Sequence, residues 1–246
     1  MQPFFYMLFF ILVSILLPNN FKYENDDWFV LSNPQSINSI TSTNDEIIFC
    51  ADNGIFTYNT LTSSFNYDEE YLREFEDSKS VVIHYDEYRD YLWYLSDKGL
   101  NYKPRISSFW SKINFYELNL SSYRNIINIG SDYNYLYIDL GNTYIILNPI
   151  TGKIIEEQDL VINIKNINWS SSLGYGNNNL DLTSYNSFDN ISVISNNLIN
   201  SNGININITA IFKDKYHDLW LGTDRGEIFY CDSKMNSINK IKSIPL

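Results

Sequence analysis

Apolar and polar positions along this chain fall into short runs that alternate or fill both faces, with no long 3.6-residue stripe. Val81-Val-Ile83, Ile126-Ile-Asn-Ile129 and Ile204-Asn-Ile-Asn-Ile-Thr-Ala-Ile211 are rich in β-branched residues and read as pleated strands with one or both faces buried. Each is followed by a polar turn of Asp, Asn and Lys, then by a second apolar strand at Leu92–Leu95, Leu136–Leu140 or Leu219–Leu221, with Ile47-Ile48 as the first copy. A tight turn comes next: Cys50-Ala-Asp-Asn-Gly54, Ser96-Asp-Lys-Gly99 or Thr223-Asp-Arg-Gly226. Third strands follow at Ile55–Tyr58, Leu100–Tyr102, Tyr144–Leu147 and Ile228–Tyr230, and fourth strands at Ser64–Tyr67 and Phe109–Phe115.

The turn anchors 54, 99, 143 and 226, with Thr143 standing where the third glycine belongs, lie 45, 44 and 83 residues apart. The doubled gap implies a hidden copy near 185, where Asn179-Leu-Asp-Leu-Thr-Ser-Tyr185 alternates weakly. Four antiparallel strands per ~40–45 residues is the period of propeller blades. The expected fold is therefore all-β, a β-propeller of about five four-stranded blades with one degenerate. The units run over about 32–75, 76–120, 121–160, 161–203 and 204–246, and the pattern leaves both a closed and an incomplete ring open. Asp27-Trp-Phe-Val-Leu31 reads as an orphan outer strand that would complete the last blade, and Ser237–Ile244 competes for the same slot.

Nine positions recur as structural repeat positions: Asp52, Gly54, Trp93, Asp97, Gly99, Tyr137, Trp220, Asp224 and Gly226. Glycine accepts positive φ, and aspartate can bond its own backbone two residues on. The aromatics, at one place in the second strand, suit packing between blades.

The stretch Ile208–Gly226, with Ile-x-x-Ile, a polar turn and Leu-Trp-Leu-Gly-Thr-x-x-Gly, resembles the two-component regulator propeller repeat, and Val81–Leu100 and Ile40–Ile55 resemble it less closely. The resemblance runs from about residue 28 onward and implies an extracytoplasmic, sensor-type module. Members with signalling output carry a transmembrane helix and a histidine kinase after the propeller, and neither is found in these 246 residues.

Residues 1–20 carry the apolar run Phe4–Leu17, closed by Pro18-Asn-Asn20. Its length suits a signal peptide or a signal anchor better than a full membrane span. Export to a periplasmic, cell-surface or secreted location is expected, with 21–246 as the propeller domain. A net charge of −12 argues against nucleic acid as a partner, and leaves the N-terminal segment as the only expected membrane contact.

No catalytic motif is present, so no catalytic residue, metal site or cofactor is assigned. His84 and His217 fall in different units, and Cys50 and Cys231 read as buried free thiols. The leading expectation is a non-catalytic exported propeller binding a small molecule, a glycan or a protein through loops at one end of the ring, with ligand-binding residues unassigned. Two alternatives stay open: a carbohydrate-active hydrolase or lyase, and a structural blade array completed by another chain.

Overall fold

The computed structural model describes residues 34–67, 78–107, 109–155, 166–170, 181–187 and 191–241. The apolar run Phe4–Leu17, the orphan strand at 27–31 and residues 68–77 lie outside them. Among the described residues, two 3-10 turns and one further 3-10 residue, Asn166, make up the helical structure, and everything else regular is strand. No helix there is long and apolar enough to cross a membrane.

The strands form five sheets. The first blade is β1–β4 (Ile37–Ser42, Glu46–Ala51, Gly54–Asn59, Ser64–Tyr67), in sequential antiparallel order. The second is β5–β8 (Ser80–Asp86, Tyr91–Ser96, Gly99–Pro104, Ser111–Ile113), ordered the same way. The third has β9–β11 (Asn128–Ser131, Leu136–Asp139, Tyr144–Leu147), an outer bridge from Leu147 to Ile154, and β12 (Asn168–Trp169) on the free edge of β9. After β13 (Asn186–Ser187), the fourth sheet is β14–β16 (Ile191–Ile194, Asn197–Asn200, Asn205–Ile206). The last blade is β17–β20 (Ile208–Lys213, Leu219–Thr223, Ile228–Asp232, Ser237–Ile241), with β13 parallel to β20 on its outer edge.

Buried clusters show how the sheets stack. One joins Leu198 of the fourth sheet to Leu221 and Phe229 of the last, and another joins Trp220 and Ile228 of the last blade to Ile37, Phe49 and Phe56 of the first. Ile48 and Cys50 pack on Ile83 and Tyr94, and Trp93 and Leu95 pack on Ile129, Leu136 and Ile138. The order is fourth, fifth, first, second, third, with the first strands β17, β1, β5 and β9 touching their neighbours at the centre. The fold is a β-propeller whose last blade packs directly on its first.

This stacking explains the unbroken apolar runs. In β18, Trp220 faces the first blade while Leu219 and Leu221 face the fourth. In β2, Ile47 and Phe49 face the last blade while Ile48 and Cys50 face the second. Side chains alternate with period two, but both faces are covered, so both sets must be apolar. The repeated second-strand position, Ile48, Trp93 and Trp220, always faces the next blade around the axis. Tyr137 points the same way and packs with Ile167 and Trp169.

The structure corrects the sequence reading in several places. The fourth unit is legible as a hairpin at 191–200, and residues 181–185, the described part of the weakly alternating stretch, form no strand. Its turn takes positive φ at Ser195 and Asn196, so asparagine does the work expected of glycine. That sheet has three strands, and the last blade has five once β13 is counted. In the third unit the positive-φ turn residue is Gly141, not Thr143. The run 204–211 splits at Asn207, sending Asn205–Ile206 to the fourth sheet and Ile208 onward to the last blade. The outer slot of the last blade is held by β20, the competitor to the strand at 27–31.

The turn aspartates act over a longer range than their own turns. Asp97 accepts from the Lys79 amide at 2.9 Å, and Asp52 accepts from Asn38 Nδ2 at 2.8 Å, each on the segment entering the blade's first strand. Asp224 is reached by Asn207 Nδ2 at 3.4 Å in the same place. The turn amides are taken instead by hydroxyls: Ser96 accepts from Lys98, and Thr223 from Arg225 and Glu227. The repeated geometry thus clamps blade entry to the second turn.

Candidate functional site

The loops between first and second strands gather at one end of the molecule, opposite the Asp-Gly turns. In the second, third and last blades the loop is shaped by an aspartate that takes amide hydrogens two to four residues ahead, and in the first blade the Thr43 hydroxyl takes those of Asp45 and Glu46. Asp132 accepts from Asn134 and Tyr135, and Asp214 from Tyr216 and Asp218. The second carboxylate oxygen then takes an aromatic handle, Tyr137 Oη at 2.8 Å or Trp220 Nε1 at 3.1 Å. Asp86 gives that second oxygen to Arg89 at 2.8 Å, and the Trp93 indole nitrogen is left without a partner among the described residues.

Neighbouring loops are tied by cations. Arg89 donates to the carbonyls of Asp132 and Tyr133 in the third blade, at 3.2 and 2.5 Å. Lys215 of the last blade donates to the Asn44 carbonyl and side chain in the first, at 3.2 and 3.1 Å. Deeper in, the first strands exchange side-chain hydrogen bonds at nearly the blade period: Ser39 donates to the Ile83 carbonyl and Thr41 accepts from the Tyr85 amide. A buried polar ladder thus fixes the register between blades.

His84 belongs to this ladder, its Nε2 2.8 Å from Ser131 Oγ. Full burial pushes its imidazole down to about 3, so it is neutral in the fold. The unfolded chain binds a proton below about 6.5 and the native state declines it, so stability falls as pH drops from about 6.5 toward about 3. One such group contributes up to about 1.4 kcal/mol per pH unit across that window. His84→Gln is expected to flatten the slope of unfolding free energy between pH 6 and pH 4, measured by urea denaturation. An unchanged slope would show that His84 is already protonated in the native state.

A cavity of about 1110 Å³ opens among these loops. The ends of β1, β5 and β17 supply Thr41–Asn44, Tyr85 and Ile211–Lys213, and Asn168, Trp169 and Ser170 close the third-blade side. Trp169 is held by β12 pairing on β9 and lies over Gly130, where an added Cβ would meet its ring at 2.6 Å. Exposed tyrosines tip the loops, Tyr88, Tyr133 and Tyr216, with Tyr88 and Tyr133 edge to face at 6.0 Å. Lys213, Lys215 and three carboxylates, Glu87, Asp181 and Asp214, line it, a near balance in a strongly acidic protein. Asp181 is held below the usual carboxylate range by the Thr183 hydroxyl and amide.

None of the nine repeat positions lines this cavity. Asp52, Gly54, Asp97, Gly99, Asp224 and Gly226 sit in turns at the far end, and Trp93, Tyr137 and Trp220 sit between blades. The two histidines are not brought together: His84 is spent on Ser131, and His217 stands in a loop at the cavity. Cys50 and Cys231 are free and buried, with burial pushing both thiols up to about 12. Among the described residues no cluster of three metal-ligating side chains occurs. The lining residues escaped the sequence reading because they do not repeat, although Tyr85–Tyr88 and Phe212–His217 mark where first strands run into aromatic, charged loops.

The chain matches no protein-family model and none of the curated proteins. Solved structures similar to it include the extracellular domain of a putative hybrid two component system from B. thetaiotaomicron, 17% identical with a TM-score of 0.41, covering 92% of this chain and 31% of that one. The extracellular domain of a putative one component system from the same organism is 16% identical, with a TM-score of 0.36 and coverage of 90% and 28%. The tricorn protease is 10% identical, with a TM-score of 0.45 and coverage of 87% and 27%. The chain spans less than a third of the length of each.

Proposed function

We propose that this chain is a non-catalytic, exported propeller of the sensor type that binds a neutral polar small molecule or a glycan segment in the cavity at its loop end. The observation that carries the reading is the cavity itself, built by side chains from four blades on a frame rigidified by cross-blade hydrogen bonds. Function on a propeller resides in such loops. Its mixture of aromatic faces, amides, hydroxyls and balanced charge suits a ligand that stacks and hydrogen-bonds. Export and the likeness to two-component regulator propellers belong to the same proposal, and rest on Phe4–Leu17 and the repeat at Ile208–Gly226.

The non-catalytic part is supported by how two of the three lining carboxylates are used. Asp214 is occupied by its own loop and the Trp220 indole, and Asp181, held ionised by Thr183, is a poor proton donor. A hydrolase of the paired-acid kind needs one carboxyl kept protonated.

The test is calorimetric titration of the purified chain with a panel of neutral oligosaccharides and polar metabolites. A ligand of this cavity is expected to bind about tenfold or more weakly to Trp169→Ala and to Lys213→Ala. Binding unaffected by both variants would place the site elsewhere, and breakdown of the ligand on incubation would overturn the non-catalytic reading.

A further inference from the structure

A second, smaller cavity of about 280 Å³ lies between the first and last blades. It shares the wall Ser42–Asn44, Asp214 and Lys215 with the central cavity, but its floor is its own. The floor is aromatic: Trp220 stands 5.6 Å from Tyr58 and 4.7 Å from Tyr230, ring centre to ring centre, at interplanar angles of 52° and 45°. Rings inclined to one another in this way make a concave aromatic corner rather than a flat stack.

Two of these rings hand their polar hydrogens to carboxylates. Tyr230 Oη donates to Asp218 at 2.7 Å, and Trp220 Nε1 donates to Asp214 at 3.1 Å. A hydrogen bond to an anion pushes electron density back into the ring, and an electron-rich ring face attracts cations more strongly. Burial, joined by the bond to Asp218, holds the Tyr230 hydroxyl well above the usual tyrosine range, so it stays a donor. Burial would raise the Asp218 carboxyl, but the donors Ser233 and Tyr230 outweigh it and keep the group ionised. No lysine or arginine among the described residues stands within ion-pair distance of Asp214 or Asp218. Glu46 alternates with Ile47 in β2 and turns its carboxylate to Arg105 on the second-blade side, at 3.9 Å, and the one lysine in the cavity wall, Lys215, donates to Asn44.

We propose that this inter-blade cavity binds an alkylammonium cation, a quaternary or tertiary amine head group seated on Tyr58 and Tyr230, with Trp220 packed behind the two rings and Asp214 and Asp218 beside it. The volume decides between classes. It lies at the small end of small-molecule sites, enough for a methylated amine and its first few carbons and too small for a polymer. A bare metal ion would not use the aromatic floor, and a primary ammonium would be drawn to water. A methylated cation matches both the apolar surface and the negative field.

The probes are choline chloride and its uncharged carbon isostere 3,3-dimethylbutanol, titrated into the full chain by calorimetry. Choline is expected to bind, with affinity falling about five- to tenfold in Tyr58→Leu and rising about threefold in Lys215→Gln, which removes the cation from the cavity wall. The isostere is expected to bind at least tenfold more weakly than choline. Thermal melting within a few degrees of wild type keeps the Tyr58→Leu result interpretable, and Lys215→Gln serves where it does not. Absence of choline binding up to tens of millimolar, equal binding of the isostere, or indifference to both substitutions overturns the proposal. Trp169→Ala, which touches only the central cavity, is expected to leave choline affinity unchanged, and its failure to do so would assign choline to the other site.

Discussion

Trp220→Ala is expected to destabilise the fold by about 3–5 kcal/mol, the cost of deleting a buried aromatic side chain and leaving a cavity. Trp220 is 3% exposed and sits at the junction of the last and first blades, against Phe49 at 6.2 Å as well as Tyr58 and Tyr230. Truncation also leaves Asp214 without its indole donor, in the loop that Lys215 ties to the first blade. The loss therefore falls on the contact that joins the two ends of the blade array. Urea denaturation with a shared m-value measures it. A loss below about 1 kcal/mol would show that the two blades do not bury this side chain between them.

Gly226→Ala is expected to cost about 3 kcal/mol or more, from two additive causes. The residue has φ of +74°, where an L side chain is strained by about 1–2 kcal/mol. An added Cβ would also overlap the Pro34 carbonyl, with the Gln35 carbonyl at 3.0 Å beyond it. Those neighbours are backbone, so relief requires the entry to β1 to move, and overpacking of this kind adds about 1–3 kcal/mol. Differential scanning calorimetry should show a large fall in Tm. A variant that melts like the wild type would mean that residues 34–35 do not lie against the last blade.

The architecture was legible because blade packing imposes the same demand on each copy. A second strand covered on both faces must be apolar at consecutive positions, which is why Leu92–Leu95 and Leu219–Leu221 stand out and lie in β6 and β18. Where the demand relaxes, the pattern fades. The hairpin at 191–200 has half-buried residues in β14 and asparagine in its turn, so its strands carry little of the repeat. The candidate sites were illegible for a related reason. A repeat advertises what every blade shares, and a binding cavity is made of what blades do not share: Trp169 on an inserted edge strand, Tyr88 on one loop, Lys213 on another. Asp214 is read from sequence as one more polar turn residue, and only the fold shows it between the two cavities.

The central claim is that the last blade packs directly on the first, which builds both cavities. Gly222 of β18 and Ile37 of β1 lie 185 residues apart in sequence, yet a Cβ added at Gly222 would sit 2.5 Å from Ile37 Cγ2. The most direct measurement is nuclear Overhauser spectroscopy on methyl-labelled protein. Strong cross-peaks between the Ile37 methyl groups and the Gly222 α-protons are the predicted result. Their absence, with Ile37 methyls showing contacts only within the first and second blades, would contradict the account.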